Sequence, residues 1–100
     1  MKIHDLKDKE GRVFAFEVES FLLSRKALCS VVELISDARI LKTPNPLSSI
    51  REEVFCEFEI QGQIFIAWEP FGDNSRYWIG PEPTAFCEQL ATVRKAFATS

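Results

Sequence analysis

The residues best suited to chemistry lie together in one short stretch, residues 68–78. There the chain brings aromatic rings, carboxylates and a guanidinium group to a tight turn and the two strands expected on either side of it. Aromatic side chains with polar tips, together with arginine, dominate the hot spots of protein interfaces. We therefore predict a binding patch here. The candidate binding residues are Trp68, Glu69, Phe71, Asp73, Asn74, Arg76, Tyr77 and Trp78.

A structural interpretation of the same stretch competes with this one, and the sequence favours it. At least one of Trp68 and Trp78 is expected in the core, because large aromatic side chains are buried on average. A polar side chain from residues 73–74 is expected to cap the turn. Arg76 is expected to pair with Glu69 across the hairpin. Under this interpretation the stretch stabilises the fold and binds nothing.

Catalysis is poorly supported by the residue types present. Glu69 and Asp73 fit the carboxylate pair of a glycosidase, but that chemistry also needs a cleft that holds a sugar, which a chain of 100 residues rarely builds. His4 is the single histidine. Arrangements of the Ser-His-Asp or Cys-His kind would therefore depend on one base near the start of the chain. We expect no catalytic residue.

The cysteines and glycines do not indicate a metal or a cofactor. Cys29, Cys56 and Cys87 lack the close spacing of structural zinc ligands, and no phosphate-binding or dinucleotide-binding loop is present. The absence of a cysteine framework favours the cytoplasm, with at least one free thiol. Each cysteine stands beside large apolar residues, so we expect the cysteines to be buried. We predict no cofactor and no metal site.

A run of carboxylates marks the middle of the chain. No basic residue stands between Glu52 and Glu69, and strand alternation places Glu57 and Glu59 on one face. The usual meaning of such a run is a solvated sheet surface that resists aggregation. The sharper interpretation is an acidic face that attracts a basic protein. The residues of this predicted acidic face are Glu52, Glu53, Glu57 and Glu59.

Strands and two helices are expected to position these residues. Alternating apolar residues predict strands, and apolar stripes with a period of 3.6 residues predict helices, the first of them capped by Ser24. Capping-box spacing also allows a helical turn at residues 49–52. The predicted strands cover residues 2–6, 12–19, 38–42, 54–60, 64–68 and 76–79, and the helices cover 24–36 and a segment from about 84.

This order, β-β-α-β-β-β-β-α, predicts an α+β fold. Short connections between consecutive strands favour an antiparallel sheet of five to six strands with both helices on one face. The whole chain, residues 1–100, is expected to form one domain. Strand order is left open by the sequence.

The turn of the middle hairpin decides which of its residues share a face. A three-residue connection, residues 61–63, would set the apolar residues of 54–60 opposite Ile64, Ile66 and Trp68 and make one face wholly apolar. A two-residue turn would mix the faces. We predict the three-residue register.

Charge and hydropathy narrow the classes of partner. A net charge of -3, from 15 acidic and 12 basic residues, argues against nucleic acid. The polar residues 2–12 lack the apolar region of a signal peptide, and the longest apolar run, residues 64–68, is far shorter than a bilayer span. We expect neither export nor a membrane partner.

Two functions remain in competition. We predict a small non-catalytic interaction module, of the inhibitor or immunity type, that uses the acidic hairpin and the aromatic turn to bind another, basic protein. The alternative is a domain that binds a small molecule or a peptide in a groove between the C-terminal helix and the sheet, lined by Trp68, Arg76 and Tyr77. A homodimer also stays open, because an exposed edge strand can pair with its own copy.

Overall fold

The computed structural model describes residues 2–21, 23–43, 54–69 and 75–99. The predicted helical turn at residues 49–52 lies outside these ranges. The elements are β1 (Ile3–Lys7), β2 (Val13–Glu19), α1 (Arg25–Glu33), β3 (Ala38–Lys42), β4 (Val54–Ile60), β5 (Gln63–Trp68), β6 (Arg76–Pro81) and α2 (Leu90–Ala98). Their order confirms the predicted α+β fold.

The strands form one antiparallel sheet in the order β1-β2-β6-β5-β4-β3. The first two strands make a hairpin, and α1 then carries the chain to β3 at the opposite edge. From there the chain returns strand by strand until β6 pairs with β2. The sequence left this order open because the β2–β6 pair joins distant parts of the chain.

Both helices pack on the same side of the sheet, as predicted. α1 contacts β3 and β4, α2 contacts β2, and the two helices touch each other. Aromatic contacts mark this interface: the rings of Phe16 and Phe97 meet edge to face with centroids 5.5 Å apart. The largest side chains buried between helices and sheet include Phe16, Val18, Leu28, Val32, Phe58, Phe65, Ile79, Val93 and Phe97.

The start of α1 follows the predicted capping. The hydroxyl of Ser24 accepts a hydrogen bond from the backbone N–H of Ala27 at 3.0 Å, so one of the unpaired donors of the first turn is satisfied. Each of the two helices has nine residues. Within the described ranges, neither helix has the length or the apolar composition needed to cross a bilayer.

Three boundaries differ from the sequence prediction by more than one residue. α1 ends at Glu33 and not at residue 36. α2 begins at Leu90, whereas residues 84–89 form bends and turns in which Phe86 is 43% exposed. β6 does not stop before Pro81, which remains in the sheet opposite Phe65. Proline is tolerated there because the pairing of β6 with β2 ends at Ile79, so the missing N–H of Pro81 breaks no hydrogen bond of the ladder.

The β4–β5 hairpin turns through two residues, and the predicted three-residue connection is wrong. Gln61 and Gly62 both have left-handed backbone, with φ of 50° and 82°. Two consecutive residues with positive φ are typical of the type I′ turn, whose twist matches that of the flanking strands. The resulting register sets Phe58 opposite Phe65.

This register divides the hairpin between two unlike faces. Residues opposite each other in an antiparallel pair share a face. The face toward the helices receives Cys56, Phe58, Ile60, Phe65 and Ala67, all buried. The other side of the sheet, here called the outer face, receives Glu57 and Glu59 beside Ile64, Ile66 and Trp68. The predicted apolar face of the hairpin is therefore replaced by one buried apolar face and one mixed face.

Gly62→Ala is expected to lower the free energy of unfolding by about 1 kcal/mol, because a Cβ makes left-handed backbone costly for an L-residue. The space around Gly62 is open, so the cost is conformational and not steric. Gln61→Asn is the matched control: asparagine tolerates left-handed backbone and should leave stability equal or higher. Urea unfolding monitored by tryptophan fluorescence measures both variants. An unchanged midpoint for Gly62→Ala would contradict this turn.

Candidate functional site

The two tryptophans lie side by side on the outer face of the two central strands, where β5 ends. Trp68 of β5 is paired with Trp78 of β6, and their rings meet edge to face with centroids 6.3 Å apart. Both side chains are half-buried, and neither belongs to the buried core. The expectation that at least one tryptophan lies in the core is therefore wrong, because the register turns both away from the helices.

The position of Trp78 depends on the absence of a side chain at Gly80. A Cβ added to Gly80 would lie 2.7 Å from Cη2 of Trp78 and 2.8 Å from the Cβ of Ala15. Such distances are too short for real atoms, so Gly80 must lack a side chain for the indole to lie where it does. The indole thus rests over the Gly80 backbone and keeps part of its surface open to solvent.

Two isoleucines extend this aromatic pair along β5. Ile66 is paired with Gly80 of β6, and Ile64 is paired with Glu59 of β4. Both isoleucines are half-buried. In the described part of the chain, the helices pack on the other face and leave these side chains without a helix above them. We call the set Ile64, Ile66, Trp68 and Trp78 the apolar strip.

An ion pair and a histidine border the strip on the side of β2. Nη1 of Arg76 donates to Oε1 of Glu17 at 3.1 Å, and Glu17 is only 7% exposed. Beyond this pair, Nε2 of His4 lies 3.7 Å from Oε2 of Glu19. The predicted pairing of Arg76 with Glu69 is wrong. Arg76 faces Glu17 because β6 lies beside β2, a long-range neighbour that the sequence does not reveal.

Cations from β3 border the strip on the other side. Nη2 of Arg39 lies 2.9 Å from Oε1 of Glu59, and Lys42 is paired in the sheet with Glu57. The predicted acidic face is therefore partly neutralised, since β3 brings positive charge to it from outside the run. On the outer face of the described strands, four carboxylates, those of Glu17, Glu19, Glu57 and Glu59, stand against three basic side chains, those of Arg39, Lys42 and Arg76. Residues 52–53 of the predicted acidic face lie outside those ranges.

Glu69 has a structural partner on the helix side of the molecule. Its Oε1 accepts a hydrogen bond from Nε of Arg25, with side-chain exposures of 9% for Glu69 and 27% for Arg25. The guanidinium of Arg25 also lies 5.0 Å from the ring centroid of Phe55. A cation in the first turn of α1 opposes the helix dipole. Its pairing with Glu69 compensates for that placement.

Tyr77 belongs to the core and does not lie on the outer face. It is 5% exposed, its hydroxyl donates to the carbonyl of Leu23 at 2.7 Å, and its ring meets Phe55 edge to face. Strand alternation separates it from Arg76 and Trp78, and this signal was present in the sequence. The predicted patch thus divides between two faces, while Phe71, Asp73 and Asn74 lie outside the described ranges.

The residues predicted to line a groove between the C-terminal helix and the sheet do not lie together. Trp68 and Arg76 lie on the outer face, whereas α2 packs on the opposite face, where Tyr77 is buried. These three side chains therefore do not line a common surface between α2 and the sheet.

The site combines an apolar strip with flanking ion pairs, an arrangement suited to noncovalent binding. No group of three or more metal-ligating side chains occurs within residues 2–21, 23–43, 54–69 and 75–99. Comparison of the chain with protein-family models, with curated proteins and with solved structures finds no match. The outer face is therefore the feature of the molecule that indicates a function.

Burial of Tyr77 makes the stability of the fold depend on pH in the alkaline range. Burial raises the pKa of Tyr77 above its ordinary value of 10.0, and the Glu69 carboxylate raises this pKa further, while Arg25 opposes the shift. Because the pKa of Tyr77 is higher in the folded state, the contribution of its neutral hydroxyl to the free energy of unfolding is fully present below pH 10.0. This contribution is lost as the pH rises through the pKa of the folded state. Tyr77 is the single tyrosine, so the tyrosinate absorbance reports it directly. A titration midpoint at or below 10.0 in the folded protein would contradict its burial.

Removing the Glu69 charge tests whether this residue is structural. Glu69→Gln is expected to lower the free energy of unfolding by about 2 kcal/mol, because it leaves the partly buried Arg25 guanidinium without its counter-charge. Glu59→Gln is the matched control, since its partner Arg39 is 71% exposed and such pairs contribute at most about 1 kcal/mol. Urea unfolding compares the two variants. Equal losses would show that the Arg25 pair has no special role.

Proposed function

We propose that this protein is a non-catalytic interaction module whose outer face binds a segment of another protein. The single observation that carries the proposal is the apolar strip, in which Trp68 and Trp78 stay partly exposed on the two central strands of a face that the described helices do not cover. Tryptophan contributes more than almost any other side chain to interface hot spots. An apolar centre surrounded by charged residues is also the usual anatomy of an interface.

The charges of the face favour a basic partner. The chain carries a net charge of -3, and the carboxylates of the described outer face outnumber its arginines and lysines. Glu19 keeps a side-chain exposure of 44%, and Glu57 is half-buried. We infer a partner segment that places apolar side chains on the strip and lysine or arginine beside these carboxylates. Complementary charge of this kind speeds association and selects the partner.

This chemistry suits a protein of the inhibitor or immunity type, which covers a basic surface on its target. A cytoplasmic location is part of the proposal, supported by three cysteines that are unpaired in the structure. Homodimerisation through the outer face is the competing use of the same surface, and the experiment below distinguishes the two.

The test begins with capture of partners from a lysate of the source organism, followed by binding measurements with the purified partner. Ile66→Ser and Trp68→Ser each remove apolar surface from the strip. Leu34→Ser is the matched control, because Leu34 is an apolar side chain 80% exposed at the end of α1. Circular dichroism shows first that each variant is folded.

We expect Ile66→Ser and Trp68→Ser to weaken binding at least tenfold and Leu34→Ser to leave it unchanged. The affinity of the wild-type protein should fall as the salt concentration is raised, since salt screens the charges around the strip. The proposal is overturned by a lysate that yields no direct partner, or by a partner that binds the strip variants as tightly as the wild type. Light scattering that shows a dimer broken by Trp68→Ser overturns it in favour of self-association.

A further inference from the structure

Two of the three cysteines meet inside the core, from elements far apart in the chain. Cys29 of α1 and Cys56 of β4 are 27 positions apart in sequence, and their Sγ atoms lie 3.1 Å apart. Both are buried, at 3% and 0% exposure, which confirms their predicted burial. Cys87 is only half-buried and packs at the margin of the core.

We propose that Cys29 and Cys56 form an intramolecular disulfide when the protein meets a low-molecular-weight disulfide such as oxidised glutathione, and that this bond locks α1 onto the sheet. In the reduced protein the two thiols share an S–H···S contact. A disulfide has an S–S distance of about 2.05 Å, so the sulfurs need to approach by only about 1 Å. This inference is independent of the outer face and of the binding proposed for it, but it concerns two of the thiols that support the proposed cytoplasmic location.

The reaction balances as thiol–disulfide exchange. The thiolate of Cys29 attacks one sulfur of the small disulfide, forming a mixed disulfide and releasing one small thiolate. Cys56 then attacks the sulfur of Cys29, which closes the protein disulfide and expels the second small thiolate. The two cysteines lose two electrons in total, the small disulfide gains them, and the two thiol protons end on the released thiols.

Burial makes this pair slow to react but stable once joined. Removal from water raises the pKa of both thiols, most strongly at Cys56, so neither is a ready thiolate at neutral pH. Cys29 is the more accessible of the two and is therefore the first to react. Formation of the bond then depends on brief opening of the interface between α1 and β4.

The test uses Cys87→Ala protein, in which Cys29 and Cys56 are the remaining thiols, equilibrated with mixtures of reduced and oxidised glutathione. We expect loss of two hydrogens by mass spectrometry with no retained glutathione. The oxidised form should melt more than about 5 °C higher than the reduced form, because the cross-link restricts the unfolded chain. The glutathione equilibrium also gives the effective concentration of one thiol toward the other. This effective concentration should be at least about tenfold higher in native buffer than in urea, because the fold holds the two cysteines together.

Glutathione adducts on separate cysteines, or an effective concentration that urea leaves unchanged, would overturn the proposal. Cys29→Ala with Cys87→Ala supplies the control, since it retains Cys56 alone and should show no rise in melting temperature on oxidation. If that variant fails to fold, Cys56→Ala with Cys87→Ala serves the same purpose from the other partner. A wild-type protein whose oxidised and reduced forms melt together would also refute the link.

Discussion

The left-handed backbone at Gln61 and Gly62 is the constraint on which both faces of the sheet depend. β5 is apolar on each of its sides, so its own composition does not decide which side enters the core. The two-residue turn decides it by setting Phe58 opposite Phe65 beneath the helices. Because side chains alternate with a period of two, a slip of one residue would exchange the buried and exposed sets. The location of the apolar strip on the outer face follows from this turn.

The corner where α1 meets the sheet shows how a locally unfavourable residue is compensated. Arg25 opposes the dipole of its own helix, yet it pairs with Glu69 and lies over Phe55. Close by, the hydroxyl of Tyr77 holds the carbonyl of Leu23, just before the helix. These contacts join the start of α1 to the ends of three strands. Residues that resemble a surface patch in the sequence are here the anchors of a helix.

Local sequence patterns predicted the strands and helices. The contacts that were predicted wrongly depend on residues that are distant in the sequence. Alternation and apolar stripes identified the strands and helices, and Ser24 marked the start of α1, because these features arise from nearby residues. The partner of Arg76 was wrong because Glu17 comes beside it only through the strand order. In the candidate site, the aromatic residues of β5 and β6 were selected correctly as a group in sequence, but their assignment to two faces required the register. The charge of the hairpin was overstated because Arg39 approaches from β3.

The pairing of β2 with β6 also bears on the order in which the sheet assembles. Glu17 and Arg76, which meet across this pair, stand 59 residues apart, whereas the other strand pairs join consecutive strands. Closing a long loop costs more chain entropy than closing a short one, and contacts between distant residues slow folding. We therefore expect the β1–β2 hairpin and the β3–β6 meander to form first as separate pieces. The sheet would then grow inward from its two edges, and its last hydrogen bonds to form would be those of an interior seam.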